Sequence, residues 1–351
     1  MPRIAIKKRQ GRSAAHLTCD THHLGIYKHA GSVQACYSPC VQITLFAPGG
    51  EESTIYVGAQ PKLVVEVVIA RPAAGFARMA TAEADVGAAA SVTAPMMLHG
   101  RVAIVTGGAG GIGSAVSRHL ASLGARVAVA YVGDPAPARE LVAAINNAAH
   151  AGDHGPRAVA VEADVSDAAQ VQALFDAAAA AFGGELHVLV TAAAVMDTSY
   201  PPLADTSEAT YDAAFGTNAR GTFLCLREAA RRLARDGRGR IVTFSSSGVG
   251  SLRPGYAAYA ASKAAVETMT RILARELRGT GITANAVAPG STATPMFYGG
   301  KTDEEAERYI AEAPLGRLGM PEDIAPLVGF LASDAGGWVN AQVLRCNGGT
   351  I

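Results

Sequence analysis

Two tyrosines and one lysine in the stretch YAAYAASKAAVE, residues 256–267, carry groups that can transfer a proton. The stretch is rich in alanine, which predicts a helix. On a helix, Tyr259 lies one turn from Lys263, about 5–6 Å between Cβ atoms, whereas Tyr256 lies two turns away, about 10.5 Å along the axis. An ammonium one turn away lowers the pKa of a phenol, which suits acid–base chemistry near neutral pH. Tyr259 is therefore the candidate, although this spacing also describes an ordinary pair on a helix surface.

A glycine-rich loop, TGGAGGIG at residues 106–113, has the composition of a phosphate-binding loop. It follows a predicted strand and begins a predicted helix, which is the context that nucleotide binding requires. Gly107 allows the tight turn, Gly111 lets the backbone approach a pyrophosphate, and Gly113 lets helix and strand pack closely. The helix N-terminus would then present free N–H groups to the phosphates. This placement favours a dinucleotide site over a simple turn.

The elements that must position these groups alternate along residues 97–351. Short apolar runs are separated by alanine-rich helical stretches, which is the pattern of a parallel sheet wrapped by helices. The runs that predict strands are RVAIVTGG, ARVAVAYV, AVAVEADV, HVLVTAAA, RIVTFSSS, GITANAVAPG and AQVLRCNGG. The helix that carries Tyr259 is predicted to stop at Gly279. The sequence thus predicts an α/β fold of the Rossmann type, a doubly wound parallel sheet of about seven strands with helices on both faces.

Several motifs in this part of the chain occur in the order and spacing of one family. They are TGxxxGIG at 106–113, Asp164 in ADV, Asn218 in GTNARGTF, Ser246 in VTFSSSG, Tyr259-x-x-x-Lys263, and Pro289-Gly290 after a strand. On these motifs, residues 97–351 resemble the complete domain of the short-chain dehydrogenase/reductase family. The tail that begins PLGRLGMPEDIAPL also resembles bacterial members grouped with 3-oxoacyl reductases and glucose dehydrogenases. The resemblance implies an NAD(P)-dependent oxidoreductase that acts on a ketone or a secondary alcohol.

The resemblance assigns roles to the catalytic residues. Tyr259 would donate a proton to the substrate carbonyl during reduction and accept one during alcohol oxidation. Lys263 would lower the pKa of Tyr259 and hold the nicotinamide ribose, and the Ser246 hydroxyl would polarise the carbonyl oxygen. Ser245 and Ser247 are register alternatives, which alternation along the strand turns to the other face.

Further assignments by resemblance concern the surroundings of these groups. Asn218 would hold a water that relays protons from Lys263, and a buried structural hydrogen bond is its alternative role. Tyr256 would lie near the mouth of the pocket and touch substrate at most. The segments 196–203 and 296–311 would shape the pocket, but they contain no pattern that names a substrate.

The resemblance also implies a set of cofactor contacts. Asp164 would bond the adenine ring, although Asp-Val also suits a strand-end turn. Thr294 would contact the carboxamide, although a loop threonine is also an ordinary surface residue. The implied contacts are Thr106, Gly107, Gly111, Ile112, Gly113, Tyr131, Asp164, Val165, Ala193, Lys263, Pro289, Gly290 and Thr294.

The chain departs from the family pattern at two places. Residues 191–194, Thr-Ala-Ala-Ala, replace the usual Asn-Asn-Ala-Gly, whose asparagine mainly braces the core. At the end of the second strand, Tyr131 stands where an acid would bond the ribose 2′-hydroxyl of NAD. No arginine takes over there, and Gly110 stands where NADP-preferring relatives often carry a basic residue. The cofactor is therefore NADP(H) or NAD(H), with NADP(H) favoured because no acid at Tyr131 repels a 2′-phosphate.

The composition limits the partners of the chain. It has 351 residues, with 30 basic and 30 acidic side chains, which gives no support to a nucleic-acid partner. No apolar run reaches the roughly 18–20 residues of a membrane span. Five cysteines without a signal peptide indicate a reducing compartment, so a cytoplasmic protein is expected. By resemblance it would be a homo-oligomer, a tetramer or a dimer, acting on a small molecule. The rival interpretation is a non-catalytic NAD(P)-binding sensor or scaffold.

Residues 1–95 show no sustained periodicity and are interpreted as a poorly ordered N-terminal extension ahead of a single catalytic domain, residues 96–351. Because MMLHGRVAIVTGG looks like an ordinary start for the family, an upstream start codon would account for them. Five basic residues before the first acid, Asp20, leave a transit peptide as an alternative. A third interpretation of this segment is a zinc site formed by three cysteines and four histidines. Their spacing matches no standard finger, so no metal is expected.

Overall fold

The computed structural model describes residues 97–148 and 155–351, together with the backbone of short strands among the first 83 residues. The chain divides into two compact units, Met1–Ser91 and Val92–Ile351. The described strands of the first unit form antiparallel pairs, which are Ile4–Ala5 with His16–Leu17, Ile26–His29 with Ser32–Ala35, Cys40–Phe46 with Glu52–Gly58, Val64–Val65 with Ala82–Glu83, and Val68–Ile69 with Ala77–Arg78. The predictions of a poorly ordered extension, a transit peptide or a zinc site concern side chains and connecting segments of residues 1–95, which lie outside the described part of the chain.

A seven-stranded sheet forms the centre of the second unit. Its strands are β1 (Val102–Thr106), β2 (Arg126–Tyr131), β3 (Ala158–Glu162), β4 (Val188–Thr191), β5 (Arg240–Phe244), β6 (Thr283–Pro289) and β7 (Val343–Cys346). They lie in the order β3-β2-β1-β4-β5-β6-β7, and every neighbouring pair is parallel. Each predicted run contains one of these strands. The predicted fold class and strand number are confirmed.

Helices cover both faces of this sheet. They are α1 (Gly111–Ser122), α2 (Ala136–Asn147), α3 (Ala168–Phe182), α4 (Glu208–Ala214), α5 (Thr222–Arg232), α6 (Gly248–Ser251), α7 (Ala257–Glu276), α8 (Pro295–Tyr298), α9 (Asp303–Glu312) and α10 (Pro321–Ala332). A 3-10 turn spans Leu203–Asp205 and a π-helical turn spans Phe215–Gly221. None of the helices in the described ranges is long and apolar enough to cross a membrane.

The central strand β1 shows why the sequence forms this sheet. Its residues VAIVT are all buried, because a central parallel strand is covered on both faces and needs apolar side chains on both. Ile104 belongs to the same core cluster as Leu174 of α3. The adjacent Val105 belongs to the opposite cluster, with Leu120 of α1. Successive side chains of the strand thus point to opposite faces of the sheet, so this one strand packs against both helical layers.

The strand order reverses beside β1. The chain moves from β1 to β2 and β3 on one side, then crosses to β4 on the other. In open α/β sheets, ligands bind beyond the carboxyl ends of the strands at such a switch point. The glycine loop follows β1, and α7 begins after β5, so the two candidate motifs lie at the same edge. The predicted stop of α7 is close to the observed one, since the helix ends at Glu276 and Gly279 has a φ of +80° in the following turn.

Candidate active site

A cavity of about 770 Å³ opens at this edge of the sheet. At β2 and β3 it is lined by Tyr131 and Asp164, and at β5 and α7 by Ser246, Tyr259 and Lys263. Of the sequence-predicted site residues, all but two line this cavity. The two exceptions are Thr106 and Asn218, which are buried beside it.

Close backbone contacts explain the glycines of the loop. Gly107 has a φ of +60°, and a Cβ there would lie 2.7 Å from Ala193 Cα. A Cβ on Gly113 would lie 2.1 Å from the Gly107 carbonyl oxygen. At Gly111 it would lie 2.7 Å from the Thr294 methyl group, so that glycine is required by packing within the protein as well as by any ligand. Helix α1 begins here with Gly110 as N-cap and no side-chain cap, which leaves its first N–H groups available to an anion.

The predicted helix pair, Tyr259 and Lys263, lies on the first turns of α7 with both side chains in the cavity wall. Lys263 is only 2% exposed, and its Nζ donates to the Phe244 carbonyl oxygen at 2.9 Å. Burial lowers the pKa of Lys263 to about 8. Its Nζ lies 5.9 Å from the centroid of the Tyr259 ring.

Burial raises the pKa of Tyr259, and a hydrogen bond with the Ser246 side chain partly opposes the rise. This direction differs from the lowered pKa that one-turn spacing to an ammonium predicts. The physical reason is that desolvation of the phenol dominates while the Lys263 ammonium is bound to a backbone carbonyl. At neutral pH the phenol is therefore protonated, which is the form that can donate a proton.

The three serines after β5 have different hydrogen-bond partners. Ser245 Oγ donates to Glu267 Oε1 at 2.7 Å, and Ser247 Oγ donates to the Ala288 carbonyl oxygen at 3.2 Å. Ser246 Oγ accepts from the Gly248 N–H at 3.0 Å and bonds the Tyr259 side chain. Of the three hydroxyls, the one on Ser246 is thus the one in contact with the candidate acid–base residue.

Asn218 is completely buried in the π-helical turn. Its Oδ1 accepts from the Val195 N–H at 2.8 Å, and its Nδ2 donates to the Val195 carbonyl oxygen at 2.9 Å and to Ser262 Oγ at 3.0 Å. Both amide hydrogens are thereby used. The side chain fixes the segment after β4 against α7, which is the structural role that the sequence left open.

The strand ends on the β2 and β3 side carry the remaining polar contacts. Asp164 Oδ1 accepts from both the N–H and the hydroxyl of Ser166 at 2.8 Å, so the carboxylate stabilises a strand-end turn while it lines the cavity. Tyr131 ends β2 and lines the cavity, as does Asp134, whose Oδ1 accepts from the Ala136 N–H at 2.9 Å.

Two further contacts hold the walls of the cavity. Thr106 Oγ1 accepts from the Ala193 N–H at 3.3 Å, which ties down the segment that lacks the family's asparagine. Thr294 is the N-cap of α8, where its hydroxyl accepts from the Phe297 N–H at 3.3 Å. Pro289 and Gly290 end β6 at the same wall, and a Cβ on Gly290 would lie 2.8 Å from Asn347 Cα.

A group of side chains closes the end of the cavity beside Tyr259, and of its members the sequence motifs indicated only Tyr256. This aromatic wall consists of Tyr200, Tyr256, Phe297, Lys301 and Tyr309; all except Tyr200 line the cavity. Tyr200 lies behind Tyr256, with ring centroids 5.2 Å apart. The wall comes from the two segments that were expected to shape the pocket and from the residue before α7. Its members are far apart in sequence, so no local pattern identifies them.

A separate cluster of Glu185, His187 and Asp236 has the ligand types of a metal site. His187 Nδ1 accepts from the Val102 N–H at 3.2 Å, so in the neutral ring the hydrogen is on Nε2, which lies 3.3 Å from Glu185 Oε2. A metal needs a lone pair on that nitrogen. Arg238 also bonds both carboxylates, at 2.5 Å and 3.2 Å. The cluster is therefore an ion-pair network.

The switch-point cavity and the glycine loop define a dinucleotide-binding α/β protein. The chain matches the family model described as enoyl-(acyl carrier protein) reductase over residues 107–350. It is 52% identical over 260 residues to the NADPH-dependent aldehyde reductase-like protein, chloroplastic, of Arabidopsis thaliana, covering 73% of this chain and 96% of that one. It is 52% identical to a short-chain type dehydrogenase/reductase of Picea abies, covering 72% and 93%. A solved dehydrogenase/reductase from Sinorhizobium meliloti 1021 shares 39% identity with a TM-score of 0.66, covering 73% and 97%.

The chain belongs to the short-chain dehydrogenase/reductase family and is an NAD(P)-dependent oxidoreductase. The predicted family and enzyme class are confirmed. The expected cytoplasmic location is wrong, because the Arabidopsis relative is named as a chloroplastic protein. The expectation rested on cysteines that need a reducing environment, and that requirement does not distinguish one reducing compartment from another.

Proposed function

We propose that this chain transfers a hydride between NADP(H) and the carbonyl carbon of an aldehyde or ketone, with Tyr259 as the acid–base residue. The observation that carries the proposal is the convergence of Tyr259, Ser246 and Lys263 in the wall of one cavity that also contains the glycine loop. The three groups come from α7 and from the segment directly after β5, and the Ser246 side chain acts to lower the pKa of the Tyr259 phenol. Such convergence in a concave site is the geometric requirement for general acid–base catalysis.

The bound nicotinamide would supply the hydride. Tyr259, kept protonated by its raised pKa, donates its proton to the carbonyl oxygen as negative charge develops there. Ser246 shares the same oxygen as a second hydrogen-bond partner. The buried Lys263 ammonium favours the phenolate that remains after donation, because an opposite charge nearby stabilises it. In alcohol oxidation the same groups act in reverse, with Tyr259 as the base.

The residues that would hold the cofactor follow the cavity wall. The loop at Gly107–Gly113 suits the pyrophosphate, because its glycines leave room and α1 presents uncapped N–H groups. Asp164 and Val165 suit the adenine, and Pro289, Gly290 and Thr294 suit the nicotinamide end. Asn218 is assigned to positioning, since its amide is used by Val195 and Ser262.

NADP(H) is the proposed cofactor for two reasons. The Arabidopsis relative is named NADPH-dependent, and Tyr131 stands where an acid would repel a 2′-phosphate. Replacing the neutral side chain by a carboxylate, Tyr131→Asp, is expected to shift the ratio of kcat/KM for NADPH over NADH toward NADH by about tenfold or more, equivalent to about 1.4 kcal/mol. Steady-state kinetics with both cofactors measures this. A strong preference for NADH in the unmutated protein would contradict the assignment.

The experiment for the reaction itself is turnover of the purified full chain with NADPH across a panel of aldehydes and ketones, followed at the absorbance of the reduced nicotinamide. Turnover that disappears in Tyr259→Phe is expected. The alternative, a non-catalytic NAD(P) sensor or scaffold, predicts cofactor binding without turnover on any member of the panel. The presence of Tyr259, Lys263 and Ser246 together in one cavity favours the enzyme.

Location and assembly complete the proposal. A plastid location is supported by the name of the Arabidopsis relative, and a fluorescent fusion of the full chain in leaf cells is expected to coincide with chlorophyll. A signal outside plastids would contradict it. A homo-oligomer, dimer or tetramer, is proposed from the family resemblance, and light scattering of the purified chain distinguishes it from a monomer.

A further inference from the structure

The aromatic wall beside Tyr259 is made by three separate segments of chain. Tyr200 comes from the segment after β4, Tyr256 directly precedes α7, and Phe297, Lys301 and Tyr309 come from α8, α9 and the turn between them. Phe297 and Tyr309 meet edge to face, with ring centroids 5.3 Å apart. The wall therefore presents ring surfaces to the space in front of Tyr259.

The polar groups of this wall have partners within the wall. Tyr256 and Tyr309 share a hydrogen bond between their hydroxyls at 3.1 Å. Lys301 Nζ donates to the Tyr200 hydroxyl and, at 2.8 Å, to the Phe297 carbonyl oxygen. The Tyr200 hydroxyl in turn donates to the Gly299 carbonyl oxygen at 3.1 Å. These bonds hold the three segments together, and they use two of the three Nζ hydrogens of Lys301 and one of the two hydroxyl hydrogens of Tyr256 and Tyr309.

The two cations at this end of the cavity contact rings of the wall, and Arg253 also has a carboxylate partner. Lys301 Nζ lies 4.3 Å from the centroid of the Tyr200 ring and 4.8 Å from that of Phe297. Arg253 forms a salt bridge with Glu312 and stacks over the Tyr309 ring at 4.3 Å. A substrate carboxylate would have to compete with Glu312 for Arg253 and with the aromatic rings for Lys301. A sugar would lose more bonds to water than the wall could replace, because most polar groups of the wall are already bonded to one another.

We propose that the cavity selects carbonyl compounds with a flat apolar body, an aromatic or conjugated aldehyde or ketone whose carbonyl is its principal polar group. The inference rests on the proposed function, which places the carbonyl oxygen at Tyr259 and Ser246. The body of the substrate then lies against the rings of Tyr256, Phe297 and Tyr309, where stacking adds to burial of apolar area. Polyols and carboxylates of similar size are disfavoured because the wall offers them ring surfaces and few polar groups that are not already bonded within it.

The test compares benzaldehyde, 4-carboxybenzaldehyde and glyceraldehyde. Binding is measured by calorimetry on the Tyr259→Phe variant loaded with NADPH, and turnover is measured on the unmutated chain. Benzaldehyde is expected to bind at least tenfold more tightly than either of the others and to have the highest kcat/KM. Equal or tighter binding of 4-carboxybenzaldehyde would mean that Arg253 or Lys301 reads a negative charge, and tighter binding of glyceraldehyde would mean that the wall offers hydrogen bonds. Either result overturns the inference.

A pair of tyrosine variants tests the wall directly. Tyr309→Ala removes a lining ring, so KM for benzaldehyde is expected to rise at least tenfold while KM for glyceraldehyde changes less than threefold. Tyr211→Ala is the matched control, because Tyr211 is 48% exposed, does not line the cavity and has its ring contact with Phe215, outside the wall. It should change neither. If Tyr309→Ala does not fold, as judged by NADPH binding, Tyr309→Phe keeps the ring and should keep the preference for benzaldehyde; its loss would overturn the inference.

The two proposals fail in different ways. Preferential binding of benzaldehyde without turnover of any carbonyl would refute the proposed reaction and support the inferred selectivity. Turnover led by glyceraldehyde or 4-carboxybenzaldehyde would support the reaction and refute the selectivity.

Discussion

The two ends of the cavity are built from different parts of the chain. The end at the glycine loop is formed mainly by backbone, in which Gly107 and Gly113 pack against other main-chain atoms at distances that leave no room for a Cβ. The end beside Tyr259 is formed by the aromatic wall, whose side chains meet across long separations in sequence. The loop end can therefore serve one cofactor chemistry throughout a family, while the wall can change with the substrate.

Tyr259, where the two ends meet, gives the largest expected effect. Tyr259→Phe removes the transferable proton and keeps the ring, so kcat is expected to fall by about 10²–10⁴-fold, the usual contribution of general acid catalysis. Tyr256→Phe removes only a hydroxyl that bonds Tyr309 within the wall, so kcat should change little. Single-turnover rates with NADPH and benzaldehyde make the comparison. Equal losses in the two variants would show that the acid–base group has been assigned wrongly.

The next largest effect is expected from Lys263, in the way the free energy of unfolding depends on pH. Its pKa is about 8 in the folded chain and 10.5 ordinarily, so between these values the unfolded chain binds more protons than the folded one. Its contribution to the free energy of unfolding is thus fully present above pH 10.5 and is lost as the pH falls through about 8, by up to about 3 kcal/mol. Urea unfolding of the unmutated chain and of Lys263→Met, from pH 7.5 to 9.5, measures it.

The difference between the two chains is the informative quantity, because every other titrating group is common to both. The unmutated chain should gain stability relative to Lys263→Met as the pH rises. A difference that stays constant over this range would mean that the ammonium is not desolvated in the folded state.

A substitution in the glycine loop is expected to have a smaller effect, and it tests only the end of the cavity that is formed by backbone. In Gly113→Ala the new Cβ would lie 2.1 Å from the Gly107 carbonyl oxygen, so loop and helix must separate, at a cost of about 1–3 kcal/mol in the free energy of unfolding. Gly110→Ala is the matched control, since its nearest contact is 3.5 Å, and its stability should change by less than about 0.5 kcal/mol. Urea unfolding gives both values, and NADPH affinity should fall in the first. Similar stabilities for the two variants would show that the loop is not held by this contact.

The difference between the two ends of the cavity also explains which features could be predicted from the sequence. The strands, the glycine loop and the Tyr259–Lys263 pair depend on short-range patterns, and the structure places them where those patterns predict. The raised pKa of Tyr259 was not predictable, because burial depends on segments distant from α7. The same holds for contacts such as Lys301 with Tyr200, 101 residues apart. Such contacts follow from the topology of the sheet and not from any local spacing.

The smallest effect is expected from removing residues 1–95. The described residues that line the cavity lie between Gly107 and Ile351. All seven strands of the parallel sheet lie within 102–346, and helices cover both of its faces, so it needs no further strand. The apolar stretch IYVGAQPKLVVEVVIA is the part of the first unit most able to matter, but its described strands pair with other strands of that unit.

A chain beginning at Met96 should therefore be soluble, melt within a few degrees of the full chain and keep its turnover number with NADPH. Thermal unfolding of the two chains side by side, with and without NADPH, measures the stability and the cofactor binding together. Aggregation of the shorter chain, or loss of cofactor binding that the full chain retains, would mean that residues 1–95 are part of the catalytic fold. In that case the first unit would support one of the two ends of the cavity, in addition to the backbone that forms one end and the aromatic side chains that form the other.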